Sequence, residues 1–147
     1  MHRYTLRWAL AVLLAIAAAT AHLRLEAAPL SEAEGQAVRM VLVAQFQAFA
    51  DDDAEGAFAT ATPTLRESVG SPWRYLALIH GVYPMVYRPS SVTFYEPRED
   101  EGTVLQFLQI TDDEGGSWFA LFVLERQEDS TWRIAGCLVA ENPWQAI

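Results

Sequence analysis

From Glu32 to Ala50 the apolar residues Val38, Val41, Leu42, Phe46 and Phe49 recur at three- and four-residue intervals, the period of an amphipathic helix. Ser31-Glu32-Ala33-Glu34 supplies a capping box at its start. Gln45 falls within the apolar stripe, where a buried amide needs partners. Asp51-Asp52-Asp53 breaks this helix and offers an N-cap for a short second one, Ala54 to about Ala61. Thr62-Pro63 starts a third that stops at Gly70, and Ser71-Pro72 starts a fourth, Trp73 to His80, closed by Gly81. After Gly81 the pattern changes to strands: Tyr83 to Arg88, Val92 to Glu96, Thr103 to Thr111, Ser117 to Gln127 and Thr131 to Ala140, separated by Pro, Gly and acidic turns. Helices followed by an antiparallel sheet make an α+β domain rather than alternating βαβ units.

An antiparallel sheet with one wet face alternates apolar and polar residues. These strands do not. Trp118, Ala120, Phe122 and Leu124 oppose Phe119, Leu121 and Val123; Val104, Leu108 and Ile110 oppose Leu105 and Phe107; Trp132, Ile134 and Leu138 oppose Ala135, Cys137 and Val139. Helices can cover one face only, so the other must curl around a pocket or meet a second subunit.

Composition narrows the chemistry. The 147 residues carry a formal charge of −9, and all ten cations are arginine, so a lysine Schiff base, a lysine general base and a Walker-type phosphate loop are excluded. The acidic balance opposes a nucleic-acid partner. Arg3 and Arg7, an apolar run from Trp8 to Ala19 and the small residues Ala19-Thr20-Ala21 have the order of a secretory signal peptide. Cleavage is expected after Ala21, giving an exported, periplasmic or extracellular protein with no stable membrane insertion; the apolar core, about a dozen residues, is shorter than a bilayer span. Loss of residues 1–21 removes Arg3 and Arg7 and no acid, which deepens the formal charge to −11. Residues 22–30 read as a short leader and 31–147 as one domain, long enough to bury a core without staples. The single cysteine, Cys137, rules out an intrachain disulfide.

Gln45-Phe46-Gln47-Ala48-Phe49-Ala50-Asp51-Asp52 and Ala57-Phe58-Ala59-Thr60-Ala61-Thr62-Pro63, followed in order by Gly70, Tyr83-Pro84, Gln106, Gly115-Gly116, Arg126-Gln127 and Trp132-Arg133-Ile134-Ala135-Gly136-Cys137, resemble an exported bacterial family, domain of unknown function 4864. The resemblance covers most of the chain from about Val38. It departs at Glu128-Asp129-Ser130-Thr131-Trp132, where an Asp-Gly turn is expected before the tryptophan. It implies a cone of nuclear transport factor 2-like, cystatin-like type, in which a curved antiparallel sheet wraps a long helix. Such folds host isomerases, dehydratases, hydrolases and binding modules alike, so the fold does not select a function, and the family carries over no catalytic residue.

His80 is the weak catalytic candidate, a pocket acid or base beside Trp73 and Tyr83. A histidine in the last turn of a helix also interacts favourably with the helix C-terminus, which is the simpler account. Cys137 sits mid-strand, where a thiol packs as a small apolar group. Asp51 to Gly56 imitates the first half of an EF-hand loop, yet the twelfth position is Thr62 and not the bidentate glutamate such a loop requires; capping of the next helix accounts for these aspartates, and solvated hairpin ends account for Arg98 to Gly102 and Asp112 to Gly116. No metal or cofactor is expected. The ligand-pocket candidates are Gln45, Trp73, His80, Tyr83, Tyr87, Gln106, Trp118 and Phe122, an apolar lining with few directional groups. The sequence therefore points first to a non-catalytic module that binds a small apolar ligand or a protein and forms a homodimer through its sheet face. The alternatives are a cofactor-free isomerase or hydrolase using His80, and a structural component of an envelope assembly.

Overall fold

A computed structural model describes residues 30–146, so the expected signal segment and most of the leader lie outside the described residues. Helix α1 (Glu32–Ala50) is followed by α2 (Ala54–Ala59), α3 (Pro63–Val69), α4 (Pro72–Val82) and α5 (Pro84–Tyr87). Strands β1 (Ser91–Phe94), β2 (Arg98–Asp100), β3 (Thr103–Thr111), β4 (Ser117–Arg126) and β5 (Trp132–Glu141) come next, then a 3-10 turn, Pro143–Ala146. The sheet is antiparallel in the order β1-β3-β4-β5, with β2 pairing the far end of β3 beside β1. Helices packed on one face of an antiparallel sheet confirm the α+β class. Among the described residues no helix is long and apolar enough to cross a membrane.

Local chemistry sets most helix starts. Ser31 and Glu34 form the complete capping box of α1, and the second Glu34 oxygen pairs with Arg126, tying the helix start to the end of β4. Asp53, Thr62 and Ser71 cap α2, α3 and α4, and Pro63 and Pro72 occupy first helical turns. Val38, Leu42, Gln45 and Phe49 of α1 are buried against Val104, Leu108, Ile110, Ala120, Phe122, Leu124 and Ile134 of the sheet. Tyr75, Ile79, Val86 and Tyr87 of α4 and α5 close the same core.

The structure corrects the sequence reading in four places. The segment expected as a strand, Tyr83 to Arg88, is the short helix α5, because Pro84 presets helical φ at its first position and the Tyr83 carbonyl accepts from Val86 and Tyr87 at 2.8 and 3.1 Å. Gly81 does not stop α4, which runs on to Val82. Arg98 to Asp100, expected as a solvated loop, is strand β2, joined to β3 by Glu101-Gly102 with φ of 48° and 79°, the conformation of a two-residue hairpin turn.

The fourth correction concerns which residues share a face. Leu138 does not lie with Trp132 and Ile134. The β4–β5 register shifts between Val123 and Leu124, so that Leu124 faces Ile134 while Val123 faces Gly136, and Ala135 is the extra residue of a β-bulge. Beyond the bulge Cys137 and Val139 face the core, opposite Phe122 and Ala120, and Leu138 joins Leu121 on the outer face. Leu105, Phe107, Phe119, Leu121 and Val123 occupy that outer face too, so it is apolar as the strand patterns require.

Candidate functional site

A groove of about 1160 Å³ opens where the first two turns of α1 approach the connection between β1 and β2. Leu30, Gly35 and Arg39 form one wall, Phe94 to Glu99 the other, and Gln106, Phe107 and Phe119 the sheet side. Gly35 faces Pro97 across it: a β-carbon there would lie 3.6 Å from Pro97 Cγ, in ordinary van der Waals contact. The Arg39 guanidinium lies 4.5 Å over the Phe94 ring, a cation–π contact that holds a cation against an apolar wall. Gln106, buried on the core face of β3, donates its amide to the carbonyls of Tyr95 (2.6 Å) and Phe107 (3.0 Å) and so fixes the point at which the chain leaves β1. Glu32, Glu96, Arg98 and Glu99 give the groove charges of both signs.

A second polar cluster lies inside the cone. Gln45 donates to Thr60 Oγ1 at 3.2 Å and to the Tyr75 hydroxyl at 2.7 Å, which supplies the partners that a buried amide needs. Burial holds the Tyr75 hydroxyl far above the usual tyrosine range, the bond from Gln45 offsetting only part of that. Burial also pushes the Cys137 thiol up to about 12, which disfavours its thiolate form. Phe46 meets Phe122 edge-on at 6.1 Å and Phe49 stacks on Tyr87 at 5.6 Å, filling the space between helix and sheet.

A third cluster joins the end of α1 to α5. Tyr87 donates its hydroxyl to Asp52, and Arg88 pairs with the other oxygen of that carboxylate at 3.0 Å. The Tyr87 bond, helped by Arg88, holds the Asp52 carboxyl below its usual range against a smaller opposing effect of burial. Asp52 has a φ of 53°, the left-handed region. Of the three consecutive aspartates, only Asp53 caps the next helix. His80 is exposed, with its ring 4.8 Å from that of Tyr87 and edge-on to it.

The eight pocket candidates therefore separate. Gln106 lines the groove; Gln45 and Phe122 are in the core; His80 and Tyr87 meet at the end of α4, with Tyr83 half-buried nearby in the chain. Trp118 donates its indole N–H to Asp112 at 2.8 Å, and Trp73 is 68% exposed. The groove residues Arg39, Phe94 and Tyr95 escaped sequence reasoning, although an arginine at the edge of the α1 stripe and an aromatic pair before Pro97 were visible signals. Among the described residues no group of three histidine, cysteine or acidic side chains could hold a metal ion.

The sequence profile of the family described as Domain of unknown function (DUF4864) matches residues 31–147. The chain belongs to that family. No curated protein matches it. Among solved structures, this DUF4864 domain is similar to an NTF-2 like protein of unknown function from Burkholderia xenovorans LB400, with 14% identity over 76% of this chain and 94% of that one, at a TM-score of 0.42.

Proposed function

We propose that this DUF4864 domain is a non-catalytic binding module that takes a small, largely apolar ligand in the groove beside α1. The observation that carries this is the lining: Leu30, Phe94, Tyr95, Phe107 and Phe119 supply apolar surface, while Arg39 and Arg98 with Glu32, Glu96 and Glu99 supply charged points at its rim. A cleft that joins an aromatic and aliphatic lining to polar groups that fix orientation is the ordinary construction of a small-molecule site. Among the described residues the interior polar groups are already engaged, since Gln45 and Tyr75 bond each other and Phe46 of α1 packs edge-on against Phe122 of the sheet. An isomerase or hydrolase built on His80 has less support, because the carboxylate near that ring, Asp52, is taken by Tyr87 and Arg88. The protein is proposed to act after export, in the periplasm or outside the cell.

The same module is proposed to take a second copy on its sheet, whose outer side is apolar and includes Phe107 at 42% and Leu138 at 67% exposure. A thermal-shift screen of the purified protein with apolar and aromatic small molecules tests the ligand proposal. A ligand at one hundred times its dissociation constant should add about 2.7 kcal/mol of stability, and Phe94→Ala should remove most of that gain. Hits that survive Phe94→Ala and Arg39→Ala unchanged would locate binding elsewhere and sink the groove.

A further inference from the structure

We infer that the second copy joins at the free edge of β5, edge to edge, and not face to face. This rests on the proposal that the sheet takes a second copy. Asn142 N–H donates to the Ser117 carbonyl, 2.8 Å, and these two residues lie directly opposite in the register that pairs Trp118 with Glu141. Antiparallel strands alternate, so Gly136, Leu138 and Ala140 turn their backbone groups toward β4, and Cys137, Val139 and Glu141 turn theirs away. On the other side of the bulge the outward residue Ile134 is satisfied: it donates to Thr60 and accepts from Thr62, at 2.8 and 2.9 Å. No described residue bonds the outward groups of Cys137, Val139 and Glu141.

These three residues form a set that is symmetric about Val139. A two-fold axis there opposes Cys137 to Glu141 of the second copy and Val139 to its own counterpart, so every outward N–H and C=O finds a partner. No other single register does this. Leu138 then meets Ala140 of the second copy on the outer side, which covers the most exposed large apolar side chain of the strands. Charge permits it: from Ile134 to Ala140 the strand has no ionisable acid or base except the half-buried Cys137, and Glu141, the one acid of the paired set, stands at its end, whereas β2 on the opposite edge carries Arg98, Glu99 and Asp100. For a chain of formal charge −9 the uncharged centre of this strand limits the repulsion that a like-charged copy meets. Edge strands that avoid pairing are usually guarded by lysine, proline or inward charges, and residues 136–140 have none. The face is a poorer candidate, because Leu105, Phe119, Leu121 and Val123 at its centre already half-cover one another, and of its two exposed large side chains, Phe107 on β3 and Leu138 on β5, the more exposed is the one at the edge.

The test is sedimentation velocity on the purified protein, with Val139→Pro and Phe107→Lys beside it, together with residue-resolved amide exchange. Proline at Val139 removes an N–H that β4 does not use, so it should leave the fold and weaken association by at least about tenfold. Phe107→Lys should leave association unchanged. In the assembled protein the Cys137, Val139 and Glu141 amides should exchange at least about tenfold more slowly than on dilution, a measurement that stands even if Val139→Pro fails to fold. A dimer broken by Phe107→Lys, with those three amides unprotected, overturns the edge geometry and leaves self-association standing. A monomer at millimolar concentration overturns both.

Discussion

Gly35 and Gly56 are both helical glycines, and the structure assigns them opposite responses to the same added methyl. Gly35 sits in the second turn of α1 with its N–H bonded to Ser31 at 2.9 Å, and its φ is not in the left-handed region. Alanine is favoured over glycine in a helix interior by about 0.8–1.0 kcal/mol, largely through the entropy of the unfolded chain. A β-carbon at Gly35 would meet Pro97 Cγ at 3.6 Å and Leu30 Cδ2 at 4.0 Å, ordinary van der Waals contact. Nothing opposes the gain, so Gly35→Ala should stabilise the protein by about 1 kcal/mol and raise Tm by about 3–5 °C. At Gly56 a β-carbon would collide with Asp53 Oδ2 and stand 2.8 Å from Asp53 Cγ, while Ala48 Cβ closes the other side at 3.4 Å. The Asp53 carboxylate caps α2 by accepting from Gly56 N–H at 2.9 Å. Swinging it aside costs about 1 kcal/mol of capping and cancels the propensity gain.

Urea denaturation of both variants, followed by tryptophan fluorescence and circular dichroism, measures the difference. Gly35→Ala should have the higher midpoint by an amount equivalent to about 1 kcal/mol, and Gly56→Ala should match or fall below the parent. Equal gains at both sites would refute the capping argument. A loss at Gly35 would mean that α1 and Pro97 leave no room, and the groove wall would have to be redrawn.

Other outcomes are open to direct measurement. Phe122→Ala removes a ring that is fully buried beneath Phe46 and should cost about 3–5 kcal/mol in chemical denaturation. The carboxyls of Asp52 and Asp112 are depressed in the folded state, by the Tyr87 hydroxyl and the Trp118 indole respectively, so their stabilisation is present above the unfolded carboxylate range near pH 4 and lost as the pH falls through the lower folded values. Denaturation midpoints should therefore drop below about pH 4, and the double variant Asp52→Asn with Asp112→Asn should show a shallower acid limb. Cys137, at about 12, should react with a thiol reagent at pH 8 on the order of a thousandfold more slowly in the native than in the urea-unfolded protein; comparable rates would show that the thiol is not packed.

What could be read from the sequence was whatever neighbouring residues decide. The α1 stripe, its capping box and the Thr62-Pro63 and Ser71-Pro72 starts are local signals, and each falls where expected. The two apolar sides of β3 and β4 follow from period two alone. Tyr83 to Arg88 misled because Met85, Val86 and Tyr87 form a short apolar run that suits a strand or a helical turn equally, and only Pro84 argued for the turn. The groove was beyond reach for a different reason. It exists because Gly35 comes against Pro97, and Gln106 anchors the Tyr95 carbonyl beside them. No periodicity reports a meeting of segments sixty residues apart in the chain.

The bulge at Ala135 links the closed and open parts of the sheet. If Ala135 paired as an ordinary strand residue, β5 would keep one parity throughout, and Leu138 would point into the core with Trp132 and Ile134. With it, the first part of the strand turns Ile134 outward, where Thr60 and Thr62 close that edge with the linker between α2 and α3. The second part is reversed in facing, which puts Cys137 and Val139 against the core and Leu138 outside. One inserted residue thus seals the strand edge beside the helices and leaves the remainder, apolar and unbonded among the described residues, facing away from them. Deleting Ala135 joins Ile134 directly to Gly136, which already oppose the consecutive residues Leu124 and Val123, so the shortened strand should pair regularly and keep Cys137 against the core, Leu138 outside and the Thr60–Ile134–Thr62 closure intact. A variant lacking Ala135 whose Cys137 reacts as fast as in the urea-unfolded protein would show that the two halves of β5 do not hold this register.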